Sequence, residues 1–261
     1  MRLPALVLAS ALVACGSPTA KPVASTAPAP STGAISKAIA DAVAAPDRDA
    51  DDRALDSGRK PAALLSFFGI RPGARVAELA AGRGYTAELL ARVVGPTGVV
   101  FAENPKFILE KFAAEPWAAR LQKPVMTPVV RVDRELDDPL PPEAKDLDAV
   151  LCVLFYHDTV WLGTDRAKMN KAVFAALKSG GIYGVVDHAG RDGTGTTEAS
   201  TLHRIEEKVV HDEVLAAGFK LQKEGTFLRN PSDPRDWNPS PMKAGEKRGT
   251  SDRFVLAFVK P

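Results

Sequence analysis

The sequence predicts an α/β protein built on a doubly wound, mostly parallel sheet of about seven strands. Short apolar runs without polar alternation, typical of strands buried in a parallel sheet, alternate with segments of helical periodicity. The last two apolar runs, "FKLQKEGTFL" and "DRFVLAFV", have no helical segment between them. We therefore expect an antiparallel hairpin across a long loop at the C-terminal edge of the sheet.

The predicted elements begin with a helix that ends at Gly69. The predicted helices cover residues 60–68, 85–94, 105–114, 165–178 and 202–217. The predicted strands cover residues 74–79, 97–104, 127–133, 147–155, 181–187, 219–228 and 252–259. A domain of about 200 residues can bury roughly 70% of the surface that its unfolded chain exposes, so it needs no disulfide or metal to be stable.

The composition is that of an ordinary globular protein, with 45% hydrophobic and 25% charged residues. The net charge is only +2, and basic residues are interspersed with acidic ones, so we predict no nucleic-acid partner. Cys152 lies inside an apolar run, and we assign no chemistry to it.

The first fifteen residues have the layout of a secretory signal: Arg2, an apolar run over residues 3–13, and small residues up to Cys15. The "LVAC" that ends at Cys15 resembles the box of bacterial lipoproteins, in which cleavage before the cysteine is followed by its lipidation. Gly16, not an aspartate, follows the cysteine, which resembles the pattern of lipoproteins that are sorted to the outer membrane. The resemblance implies a lipid anchor on Cys15 and a place in the cell envelope, at the periplasmic side of the outer membrane; a cytoplasmic protein with a chance apolar start is the alternative.

Three segments are expected after this signal. Residues 16–36 are rich in Pro, Ala, Ser and Thr and predict a flexible linker. Residues 37–58 predict a helical and charged extension, and residues 59–261 the α/β domain.

A glycine-rich loop follows the first predicted strand, where open α/β sheets bind ligands. Gly82 and Gly84 would let the backbone turn sharply and approach an anionic group closely. A tight turn without a ligand explains a glycine pair equally well. Nicotinamide binding also fits, because Gly82-x-Gly84-x-x-Ala87 is followed by the acidic Glu103 about 20 residues on. Against it, Glu78 would be a buried carboxylate for which a dinucleotide site has no use.

Two stretches carry a family resemblance. "ELAAGRG", residues 78–84, resembles motif I of the class I S-adenosylmethionine-dependent methyltransferases. "LKSGGIYGVVD", residues 177–187, resembles that family's Leu-Lys-Pro-Gly-Gly turn into the fifth strand, and "AAGFKL" before the next strand also fits. The resemblance covers residues 59–261. It implies a Rossmann-like seven-stranded sheet, S-adenosylmethionine as cofactor, and methyl transfer to a small-molecule acceptor.

The resemblance also implies roles for the loop and the strand ends. The N–H groups of Gly82 and Gly84 would meet the methionine carboxylate, and Glu78 would lie near the amino and sulfonium charges. Asn104, or Glu103 one place earlier, would accept the ribose hydroxyls. The implied cofactor contacts are Glu78, Ala80 in place of the family's first glycine, Gly82, Gly84, Tyr85, Glu103, Asn104, and Asp133 for the adenine amino group.

Three of the four histidines lie at strand ends or at the start of a helix, in "FYHD", "DH" and "TLHR". These positions share one edge of a doubly wound sheet, the edge of the glycine loop. The same three elements resemble those of one methyltransferase branch whose acceptor the sequence does not identify. His211 is expected on the surface. The candidate catalytic residues are His157, Asp158, Asp187, His188, His203 and Arg204.

Methyl transfer mainly requires alignment of the acceptor and removal of its proton. We predict His157 or His188 as the base, Asp158 or Asp187 as the group that orients it, and Arg204 as an anchor for an anionic group. Each histidine taken alone could instead hydrogen-bond a loop.

Two other functions remain open from the sequence. S-adenosylmethionine is made in the cytosol, so an exported chain could be an envelope-anchored binding or metal-dependent hydrolytic protein that reuses the crevice without it. Imidazoles and carboxylates at one edge could bind zinc or iron, but no close-spaced pair such as His-x-x-x-His is present, and we predict no metal ligands. The third candidate is an NAD-binding oxidoreductase.

The polar loop 229–249 is either a lid or a disordered insertion.

The lipid anchor can be tested by cell fractionation. We expect the wild-type chain in the membrane fraction and a Cys15→Ala variant outside it, because only the cysteine can carry the acyl chains. A wild-type chain found in the cytosol would remove the anchor from the interpretation.

Overall fold

Seven strands form one mixed sheet in the computed structural model, which describes Met1 and residues 36–261. The strands are β1 (Arg75–Leu79), β2 (Val99–Asn104), β3 (Val129–Asp133), β4 (Leu147–Val153), β5 (Leu177–His188), β6 (Lys220–Gly225) and β7 (Arg253–Val259). Their order is β3-β2-β1-β4-β5-β7-β6, and β7 runs antiparallel to both of its neighbours. The predicted α/β sheet with an antiparallel C-terminal pair is confirmed. The signal peptide, the Cys15 anchor and the linker up to residue 35 lie outside the described residues.

The helices cover both faces of the sheet. They are α1 (Lys37–Ala44), α2 (Ala50–Ala54), α3 (Asp56–Arg59), α4 (Pro61–Phe67), α5 (Tyr85–Val94), α6 (Lys106–Ile108), α7 (Ala114–Leu121), α8 (Asp158–Trp161), α9 (Arg166–Ala176), α10 (Ala199–Leu202) and α11 (Glu207–Ala216). Among the helices described, none is long and apolar enough to cross a membrane.

The helix predicted over residues 105–114 is interrupted by a π-helical segment, Leu109–Ala113, between α6 and α7. Pro116 lies in the first turn of α7 and has no N–H to donate to the carbonyl of Phe112. That carbonyl accepts a hydrogen bond from Arg83 Nε instead, at 3.1 Å. The π segment is thus linked directly to the glycine loop.

The helix predicted over residues 202–217 begins five residues later in the structure, at Glu207. α10 ends at Leu202, His203 adopts a left-handed backbone conformation with φ +46°, and α11 begins only at Glu207. Few side chains adopt this conformation, although histidine is one of those enriched in it. The break brings His203 to the edge of the sheet instead of continuing the helix.

The N-terminal extension shares the hydrophobic core of the sheet. Ile39 and Ala42 of α1 are buried in the same apolar cluster as the residues of β1 and α5. Arg48 binds both carboxylate oxygens of Asp56, at 2.7 and 2.8 Å, and Tyr85 donates its hydroxyl to Asp56 at 2.6 Å. These contacts hold the extension beside the N-terminus of α5.

Gly84 gives a test of the packing behind the loop. A Cβ at Gly84 would overlap the ring of Trp117 and lie 2.8 Å from Arg120 Cδ, and φ is +86°. We expect Gly84→Ala to lower the free energy of unfolding by roughly 2–5 kcal/mol through overlap and backbone strain. In Gly95→Ala, where φ is +64°, ψ is −169° and nothing lies within 4 Å, only the backbone strain of about 1–3 kcal/mol should remain. Urea denaturation measures both; equal losses would contradict the packing.

Candidate functional site

The loop between β1 and α5 is held by two side chains from the end of β2. The N–H of Ala80 donates to Glu103 Oε2 at 2.9 Å, and the N–H of Gly82 donates to Asn104 Oδ1 at 2.7 Å. Asn104 Nδ2 returns a hydrogen bond to the Gly82 carbonyl at 3.1 Å. Ala80 and Gly82 both have positive φ, +50° and +58°. The side chain of Asn104 therefore supports the loop, while Glu103 has a second oxygen left for other contacts.

The two glycines have different surroundings. The N–H of Gly84 donates to the Ala81 carbonyl at 2.9 Å, and its Cα faces Trp117. Gly82 is half-buried, and the nearest atom to a Cβ built there is the Ala80 carbonyl oxygen at 4.0 Å. Gly82 thus borders open space, whereas Gly84 is required for packing. Both N–H groups are already paired within this part of the protein.

Two carboxylates are buried beside the loop, Glu78 at 3% exposure and Glu103 at 0%. Within residues 36–261, Glu78 Oε2 and Glu103 Oε1 have no hydrogen-bond partner. Burial raises the pKa of Glu78 to about 8, although the Thr86 hydroxyl, the charge of Arg59 and the Ala87 N–H oppose the rise. Burial also raises the pKa of Glu103 well above its usual value. Such groups are unfavourable unless a cation or hydrogen-bond donors reach them.

Arg59 is a residue that the sequence did not single out. Its guanidinium lies 4.4 Å from the centre of the Tyr85 ring, and its charge is felt at Glu78. It forms no ion pair with any residue of the described chain. No motif surrounds Arg59 in the sequence, so only the docking of α3 onto α5 reveals it. The side chain is available to an anionic ligand group.

Asp133 lies at the end of β3, next to Asn104 in the sheet register. Its side chain is exposed and forms an ion pair with Arg131 at 2.8 Å. It lies at the edge expected from the sequence but contacts no residue of the loop in the hydrogen bonds described for it.

Four of the candidate catalytic side chains converge at the ends of β4 and β5 and after α10. His157 Nδ1 lies 2.7 Å from Asp187 Oδ1. His157 Nε2, Asp158 Oδ1 and His203 Nδ1 form a triangle in which each pair is 3.1 Å apart. The ring of a fifth candidate, His188, is 5.8 Å from that of His157, and its Nδ1 lies 2.8 Å from Ser251 Oγ.

The two buried histidines differ in pKa because the carboxylates lie beside His157. Burial lowers the pKa of His157, but Asp187 and Asp158 outweigh it and raise that pKa to about 10. Burial, followed by the charges of His157 and Arg253, holds the pKa of His188 well below its usual value. In this arrangement His157 carries a proton at neutral pH and His188 is neutral.

Arg204, the sixth candidate, is fully buried and engaged elsewhere. It forms an ion pair with Asp233 at 2.9 Å and donates to the carbonyls of Ala189 and Trp237, both at 3.0 Å. Trp237 Nε1 donates to Asp233 at 2.7 Å. Arg204 therefore fastens the loop 229–249 to the domain, and these contacts leave its guanidinium directed at protein groups.

Trp161 and Ser251 also contact the cluster and were not expected. Trp161 Nε1 donates to Asp158 Oδ1 at 2.8 Å, and Ser251 contacts His188. Ser251 is brought there because His188 pairs with Arg253 in the β5–β7 ladder. His211, expected on the surface, is partly exposed and packs near Phe258.

The pKa of Glu78 predicts a pH dependence of stability. Its folded-state value of about 8 lies above the usual 4.5, so between these pH values the folded chain holds a proton that the unfolded chain releases. We expect the free energy of unfolding to fall by roughly 2–4 kcal/mol across this range as pH rises. Glu78→Gln should flatten the slope and be more stable than wild type at pH 8. Glu110→Gln, an exposed carboxylate, is the control; equal slopes in wild type and Glu78→Gln in urea titrations would contradict the assignment.

Known structures share this fold. The chain is similar to an S-adenosylmethionine-dependent methyltransferase from Aquifex aeolicus, with a TM-score of 0.57 at 15% identity over 82% of this chain and 94% of the other. The glycopeptide N-methyltransferase MtfA complexed with sinefungin is similar with a TM-score of 0.52 at 15% identity, over 79% of this chain and 86% of the other. Aeropyrum pernix fibrillarin with natively bound S-adenosylmethionine is similar with a TM-score of 0.50 at 14% identity, over 78% of this chain and 76% of the other.

No protein-family model matches the chain, and no curated protein matches it in sequence. The similarity is therefore one of architecture. The chain has the seven-stranded fold of the class I S-adenosylmethionine-dependent methyltransferases.

Proposed function

We propose that this protein binds S-adenosylmethionine at the carboxyl ends of β1 and β2 and transfers its methyl group to a small-molecule acceptor. The observation that carries the proposal is the pair of buried carboxylates, Glu78 and Glu103, each with an oxygen that has no partner among residues 36–261. S-adenosylmethionine brings a sulfonium, an amino group and ribose hydroxyls, which are the cations and donors that these oxygens lack.

The residues around the loop suit the parts of the cofactor. Glu78 is assigned to the positive charges, and Glu103 Oε1 to a ribose hydroxyl, while Asn104 holds the loop. Arg59, which has no carboxylate partner in the described chain, is assigned to the methionine carboxylate. Gly82 provides the open surface. When bound, the cofactor supplies an electrophilic methyl carbon.

The histidine cluster is assigned to the acceptor. It lies at the ends of β4 and β5, and parallel strands place these ends at the same edge as the loop after β1. An acceptor held there would face both the cofactor and proton-accepting groups, as methyl transfer requires.

The two buried carboxyl groups argue against the nicotinamide alternative. A dinucleotide would bring its pyrophosphate to the same loop, where a second anion would keep the buried Glu78 carboxyl protonated and would supply none of the cations that its ionised form lacks. NADH therefore serves as the negative control for ligand binding.

Calorimetry on the full chain tests the proposal. We expect S-adenosylmethionine and its demethylated product to bind, and NADH not to bind, at millimolar concentration or below. Gly82→Val should abolish binding, because the branched side chain fills the open surface. Glu78→Gln and Arg59→Gln should each weaken binding by about 10-fold or more, since each removes a charge-assisted contact.

Gly95→Val is the matched control for Gly82→Val. Both glycines have similar positive φ, +64° and +58°, and Gly95 has nothing within 4 Å of a Cβ, so both variants place a branched side chain on a positive-φ backbone. Gly95→Val should bind the cofactor as wild type does. Wild-type protein that retains no radiolabelled S-adenosylmethionine in equilibrium dialysis at millimolar levels, or Gly82→Val with unaltered affinity, would refute the proposed function.

A further inference from the structure

We propose that His157, Asp158 and His203 form a binding site for one divalent transition-metal ion, with Zn²⁺ as the probe. The site lies where β4 ends and α10 gives way to the left-handed turn at His203. It contains two imidazole nitrogens and one carboxylate oxygen, a donor set suited to zinc and to iron.

The spacing of the three donor atoms fits an ion. His157 Nε2, Asp158 Oδ1 and His203 Nδ1 lie 3.1 Å from one another. In a tetrahedral site with bonds of about 2.0–2.1 Å, the ligand atoms are separated by about 3.3 Å. The three atoms therefore define one face of a coordination sphere with little movement of the side chains.

Asp187 orients the first ligand. It lies 2.7 Å from His157 Nδ1 and also accepts the backbone N–H groups of His157 and His188, both at 2.7 Å, so its position is fixed. With Nδ1 turned to this carboxylate, Nε2 is the nitrogen that points to the other two donors, and an ion bound there would displace the proton that Nε2 holds in the metal-free protein. A carboxylate behind a ligating imidazole is the usual arrangement at zinc sites and increases the basicity of the ligand.

The charge around the site also favours a cation. Asp158 and Asp187 form ion pairs only with histidines among residues 36–261, and neither is paired with lysine or arginine. A second group with similar spacing, Asp49, Asp52 and Glu88, differs in this respect. Arg120 contacts all three of its carboxylates and Lys123 contacts two, so that charge is already neutralised.

One side of the site is open to solvent. The His157 side chain is 4% exposed, but those of Asp158 and His203 are 15% and 23% exposed. Three protein ligands leave at least one coordination position free, as at catalytic rather than structural zinc sites. If the proposed methyl transfer holds, on which this step rests, that position would take an oxygen of the acceptor.

Equilibrium dialysis of the full chain against Zn²⁺, without S-adenosylmethionine, tests the site. We expect one Zn²⁺ per chain, and affinity reduced at least about 10-fold in His203→Asn and in Asp158→Asn. Asparagine tolerates the left-handed backbone at residue 203, so that variant should keep its fold. Thermal melting of the metal-free variants checks this directly. Co²⁺ substitution adds a second readout, because visible absorption in wild type that is lost in His203→Asn reports ligation.

Two matched controls locate the binding. His211→Asn removes a partly exposed histidine that neighbours Asp212 but lies outside the cluster, and Asp49→Asn alters the second carboxylate group. Both should bind Zn²⁺ as wild type does. The proposal is overturned if folded His203→Asn and Asp158→Asn bind with wild-type affinity, if only Asp49→Asn loses the ion, or if wild type binds none at 100-fold excess over protein. Cofactor binding is measured separately, so either proposal can fail alone.

Discussion

The hydrogen bonds from the end of β2 to the loop after β1 are the interaction on which the rest of the site depends. Glu103 and Asn104 hold Ala80 and Gly82 in left-handed conformations, and the loop then leads directly into α5. Without these two side chains, the positive φ of Ala80 would cost energy with nothing to offset it. The same contacts fix one oxygen of Glu103 and leave the other free beside Glu78.

Buried carboxyl groups are common to both halves of the site. At the loop, burial raises the pKa of both Glu78 and Glu103, and one oxygen of each has no hydrogen-bond partner among residues 36–261. At the ends of β4 and β5, Asp158 and Asp187 form ion pairs only with histidines among residues 36–261. The edge of the sheet thus has two places that favour positively charged ligands. The domain is less stable than it would be with apolar side chains of the same shape at these positions.

The hydrophobic periodicity of the sequence was sufficient to predict the architecture. Buried parallel strands have an unbroken apolar pattern, and each crossover helix has an apolar period of 3.6 residues. Periodicity did not predict the π segment, in which the Phe112 carbonyl, left free by Pro116, accepts a hydrogen bond from Arg83. Strand ends correctly placed the histidines at one edge. The partners of single side chains depend on tertiary packing: Arg204 meets Asp233 across a long loop, and Asn104 turns to Gly82.

The π segment before α7 has a geometric consequence. One additional residue in a helical turn rotates every later side chain by about 100° around the axis. Trp117, four residues beyond that segment, is fully buried and lies against Gly84. The inserted residue therefore sets the direction of the Trp117 indole. Deletion of one residue from the π segment would direct a different side chain toward Gly84.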